Sequence, residues 1–172
     1  GVLLERIGID PEGFRITFSD VPDLDGSLKM VNARYIGVDN RNQPYTVTAA
    51  EANQPDPGSP LVTLEEISAD VFTDAGAGQW IALTAREGLY ERETRQLDLA
   101  GDVSIFSDQG HEFHTHRAHI DLAARTADGD APLSGQGPLG LLEAGNFFLD
   151  DNAQSMFFGG GVKMMIFPSG RS

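Results

Sequence analysis

The sequence predicts an all-β domain, a sandwich or roll of many short strands. Three observations carry that prediction. Apolar residues alternate with polar ones far more often than they recur at helical spacing. Turn-forming clusters cut the chain at short intervals: Asp39-Asn40-Arg41-Asn42, Gln54-Pro55-Asp56-Pro57-Gly58, Asp74-Ala75-Gly76-Ala77-Gly78, Asp108-Gln109-Gly110 and Asp128-Gly129-Asp130. Only residues 64–71 carry even the outline of a helical stripe, and no linker divides the chain.

Along the chain, residues 1–28 are weakly patterned and read as a leading arm, either separate or part of the roll. A repeat begins after them. Val47-Thr48-Ala49-Ala50-Glu51-Ala52, Leu83-Thr84-Ala85-Arg86-Glu87-Gly88 and Phe113-His114-Thr115-His116-Arg117-Ala118 each read apolar, polar, small, any, any, small. Leu142-Glu143-Ala144-Gly145-Asn146-Phe147 is a degenerate fourth copy. In a regular strand the small residue at position six would fall on the face opposite position three. The residues that follow it, such as Ala118, Ile120 and Leu122, nevertheless look buried. The repeat therefore predicts a bulge or corner after position three, through residues 49–52, 85–88 and 115–118.

Between the copies run strands of period two. In residues 97–105, Leu97, Leu99, Gly101, Val103 and Ile105 share one face, and Asp98, Asp102 and Ser104 the other. Residues 156–166 put Met156, Phe158, Gly160, Val162, Met164 and Ile166 on one face of what reads as a single strand. Glycine inside both runs signals a bend, a bulge or a close backbone approach.

Length and charge narrow the function. A chain of 172 residues fits one domain that buries roughly two-thirds of its unfolded surface. Twenty-six acidic against twelve basic residues give a net charge of −14, which disfavours nucleic acid and direct adhesion to an anionic membrane. An anionic amphiphile would be gripped by its apolar part, with its charges left outside. The absence of cysteine excludes disulfides and thiolate chemistry. No apolar run is long enough to span a bilayer. The start at Gly1 is what a trimmed or processed chain would show, and the tail at 168–172 reads as vector-derived.

Two motifs suggest sharper chemistry. Residues 110–122, GHEFHTHRAHIDL, hold all four histidines. In a strand His114 and His116 share a face, while His111 and His119 lie on the other, roughly 26 Å apart. One metal could then take two of them at most, and the repeat places His114 and His116 in solvent-side slots. They are read as surface histidines, and no metal site is assigned. Gly135-Gln136-Gly137-Pro138-Leu139-Gly140 is a literal G-x-G-x-x-G. Pro138 removes a phosphate-binding N–H and the following LLEAGNFFL reads as strand, so the glycines shape a strand corner instead. Asp20, Asp23 and Asp25 do not have the register of a calcium loop. Trp80 is the only tryptophan, read as a core or end-of-groove residue.

Taken together, the words ARYIGVDNRNQPYTVTAAEANQ (33–54), GQWIALTAREGLY (78–90), LDLAGDVSIFSDQGHEFHTHRAHIDL (97–122), SGQGPLGLLEAGNFFL (134–149) and FFGGGVKMMI (157–166) resemble the lipopolysaccharide-export protein C family, LptC. The resemblance implies a single twisted, open antiparallel β-jellyroll (an OstA/LptA-like roll) with an apolar interior groove, over residues 29–167. It also implies a periplasmic location, with an inner-membrane helix that precedes the domain in family members and makes the only membrane contact. The implied work is not catalytic and needs no cofactor. The domain receives lipopolysaccharide from the inner-membrane permease and ATPase complex and passes it to a bridging periplasmic protein of the same fold.

Under that reading the groove is lined by the inward positions Val47, Ile81, Leu83, Leu97, Leu99, Val103, Ile105, Phe113, Ile120, Phe147, Phe158, Val162, Met164 and Ile166. Burying each CH2 of an acyl chain there is worth roughly 0.8 kcal/mol. The terminal run Val162, Lys163, Met164, Met165, Ile166 and Phe167 is expected to be an edge strand that pairs with the bridging protein, unless another strand of the chain covers it. Two alternatives stand beside lipid transfer: a purely structural adaptor between transporter and bridge, and a histidine-cluster metal-binding protein.

Overall fold

The computed structural model describes residues 4–9, 15–22, 28–56, 58–72, 80–151, 153 and 155–168, with side chains from residue 28 onward except at residue 72. It is all β. Among the described residues fourteen strands follow one another: β1 (Leu4–Ile9), β2 (Arg15–Pro22), β3 (Leu28–Val38), β4 (Pro44–Gln54), β5 (Leu61–Phe72), β6 (Trp80–Glu91), β7 (Gln96–Ser107), β8 (Glu112–Asp121), β9 (Thr126–Gly129), β10 (Leu133–Gly137), β11 (Gly140–Ala144), β12 (Asn146–Asp150), β13 (Ser155–Gly159) and β14 (Lys163–Ile166). Every pairing is antiparallel, and strands β1 to β8 pair in chain order. Part of the leading arm thus forms β1 and β2, which extend the sheet beyond β3. The aspartates at 23 and 25 and the tail after residue 168 lie outside the described residues.

One line of interruptions crosses this sheet. Asn32, Ala50, Glu66, Arg86, Gly101 with Asp102, and His116 are unmatched positions in the ladders from β3 to β8, and between β6 and β7 Ala85 and Val103 are unmatched too. On β3, β5 and β7 the backbone turns left-handed there: φ is 54° at Asn32, 52° at Glu66, 83° at Gly101 and 47° at Asp102. Glycine, Asn and Asp tolerate that region with least strain. On β4, β6 and β8 the same line passes through Ala50, Arg86 and His116, which is position four of the repeat. The bend expected after position three is therefore present, with the positive φ carried by the neighbouring strands.

The corner changes which face is inward. Ala49 and Ala52 are both buried although they are an odd step apart, as are Thr115 and Ala118. Small residues are required because they sit in the crease. A Cβ on Gly88, at position six of the second copy, would lie 2.5 Å from Ile67 Cδ1. The same corner explains the helical outline of residues 64–71. Leu64 and Ile67 are buried three apart because the strand turns at Glu66 between them, and the segment lies within β5.

The corner folds the sheet into two facing walls. The first holds residues 33–38, 44–49, 67–72, 80–85, 103–107 and 112–115, and the second residues 28–31, 51–54, 61–65, 87–91, 96–100 and 117–121. At β8 the sheet forks. Residues 112–115 pair with β10, which leads through β11 to β14, while residues 119–121 pair with β9, which leads through β12 to β13. Between the walls lies one apolar cluster. Tyr35 of the first wall meets Tyr90 of the second edge to face, with ring centroids 5.4 Å apart. Burial pushes the Tyr35 phenol well above its ordinary pKa, against the opposing charge of Arg92.

Residues 156–166 are not one strand, as their alternation suggested. Gly160 and Gly161 have φ of 72° and 86°, and they end β13 on the second wall and send the chain to β14 on the first. The run LLEAGNFFL is likewise divided, at Gly145, into β11 and β12. The two crossings touch: a Cβ on Gly145 would lie 2.5 Å from the Gly160 carbonyl oxygen. Alternation continues across both breaks, so it could not reveal them. Gly145 is also position four of the fourth repeat copy, and it occupies the corner as the others do.

Candidate functional site

The walls are sealed along one side by a buried ion-pair cluster. Asp39, in the β3–β4 turn, accepts backbone N–H bonds from Arg41 (2.7 Å) and Gln43 (2.9 Å) through Oδ1. Its Oδ2 receives Arg125 Nη1 at 3.2 Å, and Arg125 Nη2 donates to Asp151 Oδ2. The side chains of Arg125 and Asp39 are 2% and 1% exposed. Two further bonds join the walls on this side: Asn40 N donates to the Ala123 carbonyl at 2.9 Å, and Arg95 Nη1 to that of Val38 at 2.8 Å.

Past this seam, toward the ends of β11, β13 and β14, the interior is empty. A cleft of about 470 Å³ lies between the two branches of the fork. Ile81, Ile105, Phe113, Leu142, Met164 and Ile166 line it from the first wall, and Leu149, Met156 and Phe158 from the second. Phe113 and Phe158 approach across it, with ring centroids 5.9 Å apart.

The space has a local cause. Of the inward positions on β10, Leu133, Gly135 and Gly137, two carry no side chain. The Phe113 ring lies over Gly135, where a Cβ would come within 2.7 Å of it, and the His111 ring over Gly137, at 2.6 Å. The G-x-G-x-x-G stretch is thus the β10–β11 hairpin, and its first two glycines are where the cleft obtains its depth.

The residues expected to line a groove fall into three groups. Ile81, Ile105, Phe113, Phe158, Met164 and Ile166 meet at the cleft, where Ile105 is also a member of the core cluster and Ile81, Phe113 and Phe158 pack against it. Val47, Leu83, Leu97, Leu99, Val103, Ile120 and Phe147 are packed inside the core cluster. Val162 precedes β14, is 45% exposed and does not touch the cleft. Leu142, Leu149 and His111 line it without having been read from the sequence as groove residues, and Met156, read on the inward face of residues 156–166, lines it as well. Leu142 opens the fourth repeat copy and Met156 starts an alternating run, so a signal for both was present.

The four histidines have separate surroundings. His114 is exposed, with Nδ1 2.9 Å from Ser104 Oγ and Nε2 2.8 Å from Glu112 Oε1. Bonds from Gln136 and then His114 hold the Glu112 carboxyl below its ordinary pKa. His119 is engaged at both nitrogens, by Asp98 and Gln96, each at 2.6 Å. His116 points outward at the corner, and His111 lines the cleft. Among the described residues no three His, Asp or Glu side chains converge as metal ligands.

Strand β14 hydrogen-bonds to β11 alone among the described strands, and β13 to β12 alone. Both branches therefore end in free edges. Met164, Met165 and Ile166 are 62–71% exposed on β14, and Phe157 is exposed on β13.

The protein-family model described as "Lipopolysaccharide-assembly, LptC-related" matches residues 23–165, most of the chain. No curated protein matches it. The chain belongs to the LptC-related family. Membership gives it a part in lipopolysaccharide transport and outer-membrane biogenesis, in a family of periplasmic transport and adaptor proteins. No helix among the described residues is long and apolar enough to cross a membrane.

Proposed function

We propose that this LptC-family chain carries lipopolysaccharide by its acyl chains, in the cleft between the β11–β14 and β12–β13 branches, and passes it to a partner docked on β14. The observation that supports the reading is the cleft itself. It is apolar, open at the end of the sheet, and bordered by two unpaired strand edges. Acyl chains need apolar area rather than hydrogen bonds. Unbranched Met156 and Met164 adapt to a ligand that must slide. The donor would be the inner-membrane permease and ATPase complex, and the acceptor a bridging periplasmic protein of the same fold.

A photocrosslinker tests the lipid step. At Phe158 or Ile105 it should label lipopolysaccharide, and at the outward Asp98 or Asp102 it should not. Equal labelling at all four sites, or none at any, leaves the purely structural adaptor. That second reading has its own support, because the interior from β3 to β7 is filled by side chains.

The docking step can be tested on the edge. Phe167 N donates to the Leu139 carbonyl at 2.8 Å. Antiparallel alternation then turns the N–H groups of Lys163 and Met165 toward β11, and those of Met164 and Ile166 toward the free edge. Met164→Pro should abolish capture of the bridging protein while leaving the melting temperature nearly unchanged. Undiminished capture would remove β14 as the docking strand.

A further inference from the structure

Four polar residues of the cleft, Ser107, Asp108, Gln109 and His111, stand together on one rim, while Gln136, Asp151 and Ser155 lie elsewhere along it. The β7–β8 turn contributes Asp108, Gln109 and His111, and Trp80 stands beside it at the start of β6. The turn is tied down. Asp108 N donates to the Trp80 carbonyl at 3.3 Å, Ser107 N to the His111 carbonyl at 3.0 Å, and Gly110 takes the left-handed φ of 87° that closes the loop.

His111 differs from His114 and His119. His114 and His119 have both ring nitrogens bonded within the protein. The His111 ring is laid flat over Gly137 and stacked on Phe113, with centroids 6.5 Å apart and planes at 25°, and among the described residues its nitrogens have no hydrogen-bond partner. It is held in place while its hydrogen-bonding capacity stays unused.

This combination has a chemical meaning. An indole, a carboxylate, an amide and an imidazole brought to one rim are a set that suits a sugar. The aromatic face covers the ring's C–H surface, and the planar polar groups exchange hydrogen bonds with its hydroxyls. No Lys or Arg lines the cleft, and Asp108 stands on this rim, so the rim does not suit a phosphate. We infer that Trp80, Asp108, Gln109 and His111 form a saccharide subsite, which holds the sugar ring next to the acyl chains and leaves its phosphates in solvent. The inference rests on the acyl-chain reading of the cleft.

Trp80 is the only tryptophan of the chain and reports the subsite directly. The domain is titrated with an acylated glucosamine disaccharide, with myristate, and with the unacylated disaccharide, while Trp80 emission is followed and a photocrosslinker at Phe158 reports the cleft. The acylated disaccharide should shift the emission and crosslink at Phe158. Myristate should crosslink without the shift, and the free disaccharide should do neither at the same concentration. The double variant Gln109→Ala/His111→Ala should weaken the acylated disaccharide by about ten-fold and leave myristate unchanged. Crosslinking of the acylated disaccharide with Trp80 silent, or equal weakening of both lipids, overturns the saccharide subsite and spares the acyl-chain reading. A shift with the free disaccharide makes the rim a free-sugar site and overturns the coupling to lipid. No crosslink with either lipid ends both readings together.

Discussion

The interior between β3 and β7 and the interior beyond β8 are built from the same alternation, yet one is full and the other open. From β3 to β7 each strand is 11 or 12 residues long and runs through both walls. Tyr35, Tyr45, Tyr90, Leu64, Leu97, Val47, Val62 and Val103 are fully buried there. Beyond β8 the strands have four or five residues, each confined to one wall, and two inward positions of β10 are glycine. Period two reports which face a residue takes. Whether the opposite wall is near enough, and its side chains large enough, to fill the gap is a separate matter.

The seam gives the largest expected effect. Arg125→Met leaves Asp39 and Asp151 buried without their counter-charge, and breaking a pair of this kind costs about 3–5 kcal/mol. Urea denaturation should show that loss. A loss below about 1 kcal/mol would mean that the seam does not hold the walls together.

A pair of truncations probes the contrast itself. Leu97→Ala in the filled region should cost about 2–5 kcal/mol. Met164→Ala, at a residue 65% exposed on the cleft's edge, should stay within about 0.5 kcal/mol. The lipid readout should reverse the order, with crosslinking at Phe158 reduced by Met164→Ala and retained by Leu97→Ala as long as the domain is folded. Similar stability losses at the two sites would erase the distinction between core and cleft.

Gly135→Ala fills the cleft from below. Its Cβ would displace the Phe113 ring, at a cost of about 1 kcal/mol, and should lower lipid labelling. In the double variant with Phe113→Leu, stability should recover in part, since the smaller side chain makes room. Equal losses in the single and double variants would show that the ring is not what the glycine accommodates.

The smallest effect lies on the filled side, at the β6–β7 turn. The Thr94 hydroxyl bonds to the Glu91 carboxyl and, as the first cause, holds its pKa below the ordinary 4.5. A carboxyl lowered on folding stabilises the protein above its unfolded pKa, and that contribution disappears as pH falls through the lower folded value. Thr94→Ala should move the Glu91 carbon resonance midpoint upward in an NMR titration. An unmoved midpoint would reassign the cause to the backbone.

Much of the fold was legible because the repeat encodes it. An odd step between two small buried residues can only be met by a corner, and Ala50, Arg86, His116 and Gly145 all stand on it. The crossings at Gly145 and Gly160 were hidden, because the chain changed walls without changing its alternation.

By itself the sequence determined the all-β character, the place of the corner and the family, since these are written in local period, glycine placement and word order, and the antiparallel roll followed from the family resemblance. Only the tertiary structure decided which inward residues became core and which became cleft. Leu97 and Met164 obey the same alternation, and their difference lies in what stands opposite. It also joined Asp39 to Arg125 across 86 positions, and Arg125 to Asp151 across 26. No local pattern marks those three residues, because charges that neutralise one another through space need no spacing along the chain.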